Sequence, residues 1–212
     1  MITIIDHGSG NIGALARLCR LAGIEHITTS DPEVVRSAER LLLPGVGAID
    51  TVMGQLNGSG LAAAVRDAAN GGSAAVLGIC VGMHALATAS EEGEEPTLDL
   101  VPGRVRRFDP ASIPVAAKLP HMGWNSIVAS DDRDALLADV DLDRGFYFLH
   151  SYHYGVDDPA DSVAQAVHGV AFDAVVRRGN VYGVQFHPEK SHSNGVRLLA
   201  NFDRVEIEPM GG

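Results

Sequence analysis

AAVLGICVGMHAL, residues 74–86, divides into two parts that meet at Cys80. Residues 74–79 form a continuous apolar run, short enough for a strand buried on both faces. A mostly apolar, helical-looking stretch follows. Between them stands Gly78-Ile79-Cys80-Val81-Gly82, a G-x-C-x-G pattern at a strand-to-helix turn. Small flanking residues permit a sharp turn and close approach of neighbouring backbone. Such a turn lifts its central side chain to the carboxyl end of a parallel sheet, where open α/β sheets bind ligands.

Upstream, the same rhythm repeats. Residues 2–5 (ITII) read as a buried strand, and Asp6 to Gly10 as a loop. Asn11 is placed to cap a helix that Gly23 ends, with Ile12, Leu15, Ala16, Cys19 and Ala22 on one face. Residues 24–28 and 41–43 read as strands, and Ser30-Asp31-Pro32 as the start of a short helix between them. Helices are expected around 48–56 and 60–70. This alternation predicts an α/β fold, a three-layer arrangement of a mostly parallel twisted sheet with helices on both faces. The second half reads differently: strands at 104–108, 125–128, 146–150, 163–167, 172–177 and 180–185 have few helices between them. Antiparallel additions are expected there, closed by a helix over 193–202. Residues 91–96 (EEGEEP) read as a solvated loop. One domain, residues 1–204, with a tail over 205–212, accounts for the chain.

Composition narrows the chemistry. The chain has 212 residues, 46% hydrophobic, with a formal charge of −11. No apolar run approaches the ~18 residues of a membrane span, so no membrane role is expected. The acidity argues against a nucleic-acid partner, which would need clustered Lys and Arg. The N-terminus lacks the basic start of a secretory signal. Cys19 and Cys80 form no disulfide framework; reduced thiols and a cytoplasmic location are expected. Cys19 reads as a core residue.

At the elbow, Cys80 reads as a nucleophile. A helix N-terminus beside it would favour the thiolate, and the Val81 N–H would face a developing oxyanion. A thiolate needs a base and a group to orient that base. Gln185-Phe186-His187-Pro188-Glu189 follows a strand, and in extended chain His187 and Glu189 project to the same side. A carboxylate at one ring nitrogen fixes the tautomer and leaves the other for the thiol. His84, four residues after Cys80, reads as pocket lining because no carboxylate stands at a comparable spacing. Pro44-Gly45-Val46-Gly47 offers a second oxyanion donor from flexible backbone. His150, His153, His187 and His192 follow no metal-ligand spacing, so no metal is expected. No cofactor motif stands out.

GICVGMHAL, LPGVGA and VYGVQFHPEKS together resemble the class I, or triad, glutamine amidotransferases. DHGSGN, SEEG, LPHMGWNSI, FYFLHSYHY and GVQFHPEKS are more closely similar to the glutaminase subunits of imidazole glycerol phosphate synthases, from histidine biosynthesis. The resemblance spans roughly residues 2–203. It implies Cys80 as nucleophile, His187 as base and Glu189 as its orienter, in a glutaminase that passes through a glutamyl thioester. The ammonia would be channelled to a synthase partner, a (β/α)8-barrel cyclase subunit in a heterodimer, and no cofactor is implied. The resemblance makes residues 44–47 the oxyanion strand, with Val46 a donor beside Val81. Gly45, Gly47, His84, Ser151 and Tyr152 would bind glutamine; Asn11, His121, Met122, Trp124 and Lys190 would lie toward the partner. Two positions depart from the family: His84 stands where Gln is usual, and His7 where Tyr is usual. A similar branch supplies ammonia to sugar amidotransferases of surface-polysaccharide biosynthesis, and NGSGL and EKSHSNG have its look. A non-catalytic binding relative on the same fold is an alternative of another class; loss of a triad member would favour it, and all three are present.

Overall fold

Four short strands carry no polar alternation, and each is buried along nearly its whole length: β1 (Ile2–Ile5), β3 (Arg40–Gly45), β4 (Ala75–Cys80) and β13 (Val181–Val184). Strands of that kind need cover on both faces. The computed structural model, which describes residues 1–113, 118–130 and 134–208, supplies it. Helix α1 (Ile12–Leu21) packs against α6 (His192–Phe202), while α4 (Leu61–Asn70) packs against α2 (Pro32–Arg36) and α3 (Ile49–Ser59). Local chemistry explains several of these helices. Asp31 caps α2 by accepting from the Glu33 N–H at 2.9 Å, with Pro32 at the first helical position. Helix α4 buries Leu61, Ala64, Val65, Ala68 and Ala69, one helical stripe whose alanines allow close packing. Cys19 is fully buried in α1, as its spacing suggested, and burial first of all pushes its thiol up to about 11.

The main sheet begins in the order β2 (His26–Thr29), β1, β3, β4, β13, and these neighbours are all parallel. It continues through β12 (Val170–Arg178) and β10 (Tyr152–Val156) to β6 (Gly103–Arg107), all antiparallel. At the far edge β5 (Ala89–Ser90) pairs with β6 in parallel. Strand β11 (Ser162–His168) pairs with β12 and with β8 (Val128–Ala129). A separate antiparallel pair joins β7 (His121–Asn125) to β9 (Phe146–His150).

The fold expected from the sequence is observed, with differences of detail. The stretch after Cys80 makes one helical turn, α5 (Val81–His84), before the chain bends away. The strand expected at 125–128 is two strands, β7 and β8, in different sheets. Strands β5 and β10 were not anticipated: β5 is two residues long, and β10 follows β9 after the single residue Ser151. Asn11 does not cap α1 with its side chain, which reaches elsewhere. Of the expected tail, residues 209–212 lie outside the described residues; Val205 is buried, and its carbonyl accepts from Arg40 at 2.9 Å.

Candidate active site

Strand order brings the chemistry together. Strand β4 lies between β3 and β13, with Gly45 paired to Cys80 and Val184 to Ile79. The carboxyl ends of three parallel strands therefore deliver Gly45–Gly47, Cys80 and Gln185–Glu189 to one place. Cys80 takes φ 55° and ψ −112°, a positive φ rare for a residue with a Cβ. The flanking glycines make this turn possible. A Cβ on Gly82 would stand 1.9 Å from the Leu43 carbonyl oxygen, and one on Gly78 would stand 2.6 Å from the Gly82 carbonyl oxygen.

His187 is 3% exposed, and its Nδ1–H donates to Glu189 Oε1 at 2.9 Å, leaving Nε2 for the thiol. Burial would lower the His187 pKa; hydrogen bonding to Cys80 and Glu189, and their charge, outweigh it and raise the pKa to about 10. Burial alone would raise the Glu189 carboxyl, but hydrogen bonding to His187 and its charge hold it below the usual carboxylate range. Asn11 Nδ2 also donates to Glu189 Oε1, at 2.6 Å. The turn that carries this pair is pinned three ways. The His187 N–H donates to Tyr147 O at 2.8 Å, the Ser191 hydroxyl to His187 O at 2.7 Å, and the Tyr147 N–H to Ser191 Oγ at 3.0 Å.

A cavity of about 480 Å³ opens over Cys80. Val46, Gly47 and Val81 line one part of it; Leu149, His150, Ser151 and Tyr152 line another; His187 and Lys190 also reach it. The thiol lies 3.9 Å from the Leu149 carbonyl oxygen. His84 belongs to the lining, and it is 2% exposed. Its Nε2 faces Gln185 Oε1 at 2.8 Å, and burial holds its pKa down at about 4.

Several expectations need correction. His84 does have a carboxylate nearby: Glu92 Oε2 lies 4.0 Å from its Nδ1. Glu92 is not in a solvated loop; its side chain is 17% exposed and lines the cavity. The loop folds inward because Gly93 packs on the Asp50 side chain, which also accepts from the Glu95 N–H at 3.0 Å. His121, expected toward a partner, is buried, whereas Met122 and Trp124 beside it are 61% and 42% exposed. One turn at α5 also gives little helix to support an N-terminal dipole argument. Nothing in the sequence marked Glu92, Pro120, Leu149 and His150 as lining; Gln185, the buried partner of His84, carried a signal as the polar residue inside an otherwise apolar segment before His187. His7 bonds to the strand before the elbow: its Nε2–H donates to the Pro44 carbonyl at 2.6 Å. Among the described residues no group of three His, Cys, Asp or Glu side chains is arranged to hold a metal.

A cysteine thiol on a positive-φ turn, an imidazole beside it and a buried carboxylate behind that imidazole have the arrangement of a thiol amidotransferase-type site. Residues 3–204 match the family model "Glutamine amidotransferase class-I", and the chain belongs to that family. Its relatives include the imidazole glycerol phosphate synthase subunit HisH of Bdellovibrio bacteriovorus, 43% identical over 209 residues that cover 97% of this chain and 100% of that one. The same subunit of Methylococcus capsulatus is 43% identical over 212 residues, covering 97% and 96% of the two chains. Among solved structures, the fold is similar to a glutamine amidotransferase at TM-score 0.69 and 19% identity, covering 95% and 96% of the two chains. It is similar also to PurLQS of Thermotoga maritima, at TM-score 0.68 and 15% identity, with the same two coverages.

Proposed function

We propose that this chain is the glutaminase subunit of an imidazole glycerol phosphate synthase, acting in histidine biosynthesis in the cytoplasm. It hydrolyses the side-chain amide of glutamine and hands the ammonia to a barrel-shaped cyclase subunit, its partner in a heterodimer. The observation that carries this reading is the Cys80–His187–Glu189 constellation at the carboxyl ends of β4 and β13, on a chain similar along its length to such subunits.

The chemistry follows from the geometry. With the thiol's proton already held on His187 Nε2, the Cys80 sulfur bonds to the amide carbon. The carbonyl oxygen becomes an oxyanion, for which the N–H groups of Val81 and Val46 are the candidate donors. The C–N bond then breaks, His187 returns the proton to the leaving nitrogen, and ammonia departs from a glutamyl thioester. Water attacks that thioester with His187 as base, which releases glutamate and restores the thiol. Glu189 holds the imidazole in the tautomer that each step needs. Gly45, Gly47, His84, Ser151 and Tyr152 are the candidate glutamine contacts. Asn11, Met122, Trp124 and Lys190 remain the candidate partner contacts, with Asn11 holding Glu189 as well.

The partner supports the reading on chemical grounds: ammonia released to water at neutral pH is protonated and ceases to be a nucleophile. The test is steady-state glutamate formation by the purified chain alone and with a cyclase subunit loaded with its acceptor. Acceleration of about 10²–10³-fold is expected, the worth of one oxyanion donor brought into place. A loaded cyclase subunit that leaves the rate unchanged contradicts the pairing.

A further inference from the structure

We infer that His121 is a positioning residue for glutamine binding: through His150 it fixes the Ser151–Tyr152 segment that walls the Cys80 cavity. The inference rests on the glutaminase reading above. Four hydrogen bonds form one chain. Asn125 Nδ2 donates to the Val167 carbonyl at 2.9 Å and lies 3.3 Å from His121 Nε2. His121 Nδ1 lies 2.9 Å from His150 Nε2, and His150 Nδ1 lies 2.8 Å from the Tyr152 carbonyl oxygen.

Both ends allow only one arrangement of protons. A carbonyl oxygen only accepts, so His150 must carry its proton on Nδ1 and accept at Nε2. That acceptance requires a proton on His121 Nδ1. From the other end, the Asn125 amide nitrogen only donates, so His121 Nε2 must accept and its proton again falls on Nδ1. Two independent anchors thus fix two neutral imidazoles in the same tautomer. A second proton on either ring would set donor against donor. Burial, first of all, keeps both rings below the ordinary imidazole range, His121 at about 4.

The chain ends where substrate is read. His150, Ser151 and Tyr152 all line the Cys80 cavity. The Tyr152 carbonyl is held by His150, and the Ser151 carbonyl by the Phe108 N–H at 3.1 Å. Register explains the reach: His121 stands opposite His150 across the β7–β9 ladder. The His121 ring is braced independently, stacked at 4.8 Å on Phe148 and at 4.2 Å on His168.

That bracing supplies the test. His121→Phe keeps an aromatic ring in the stack and removes both ring hydrogen bonds. With the partner subunit present, the expected result is a rise of about tenfold in KM for glutamine, the order of one buried hydrogen bond lost, with kcat within about threefold. Unchanged KM in a variant of wild-type Tm would overturn the proposal. Should the variant fail to fold, nitrogen-15 NMR of the wild-type rings decides. Both His121 and His150 are expected as neutral Nδ1–H tautomers at pH 7, and an Nε2–H tautomer or a charged ring at either position would overturn the proposal. A wild-type complex that does not hydrolyse glutamine would refute the glutaminase reading, while the ring tautomers still report on the hydrogen-bond chain.

Discussion

At the scale of single residues, one carboxylate and two histidines differ sharply in their surroundings. The His187–Glu189 pair is hydrogen-bonded and charged, whereas His84 is buried and kept neutral. His187→Ala should therefore lower glutamine turnover by about 10²–10⁴-fold, the usual worth of a positioned acid–base group. Glu189→Gln should cost less, because it acts only through His187. His84→Ala should raise KM for glutamine more than it lowers kcat. Steady-state kinetics of the three variants checks the order, and a larger loss of kcat in His84→Ala than in His187→Ala would reverse the assignment. At this scale the sequence was a good guide where partners are neighbours. Cys80 between its glycines and His187 two residues from Glu189 are local patterns, legible by spacing. Asn11 lies 178 residues from the Glu189 it touches, and Gln185 lies 101 residues from His84. No spacing rule reaches such contacts.

At the scale of elements, the elbow is held by close contact between β3 and the turn after β4. Gly82 sits against the Leu43 carbonyl with no room for a methyl group. Gly82→Ala should therefore destabilise the chain by about 1–3 kcal/mol, as overpacking does. Denaturant unfolding measures it, and an unchanged midpoint would mean that the strands part more easily than their contacts suggest. His7 bears on the same strand from the other side through the Pro44 carbonyl. The strands that reading found have runs of apolar residues or clear alternation. The element it missed that matters most here is β10, Tyr152–Val156, whose sequence YHYGV alternates poorly and pairs with β6 nearly fifty residues earlier. The Glu92 loop was misread for a related reason. Four glutamates within six residues favour water, and only the docking of Gly93 on Asp50 turns one of them inward.

At the scale of the molecule, buried histidines set the response to pH. His84, His121 and His150 are held well below the ordinary imidazole pKa, so between pH 6.5 and about 4 the unfolded chain binds protons that the folded chain refuses. Stability is lost as pH falls through that window. His187 acts in the opposite sense. Its pKa is raised to about 10, so its contribution is complete below pH ~6.5 and is lost as pH rises toward 10. Tm should peak near neutrality, with the steeper fall on the acid side where three rings act together. Calorimetry from pH 4 to 9 tests this, and a flat profile below pH 6.5 would contradict the buried neutral rings. The central claim concerns the thiol itself. Cys80→Ala should fold and assemble, because a small side chain fits the turn. The decisive measurement is product formation by the assembled Cys80→Ala complex, first with glutamine and then with free ammonia as the nitrogen source. The account predicts no glutamine-dependent product and retained ammonia-dependent product. Glutamine-dependent product in that variant would contradict it.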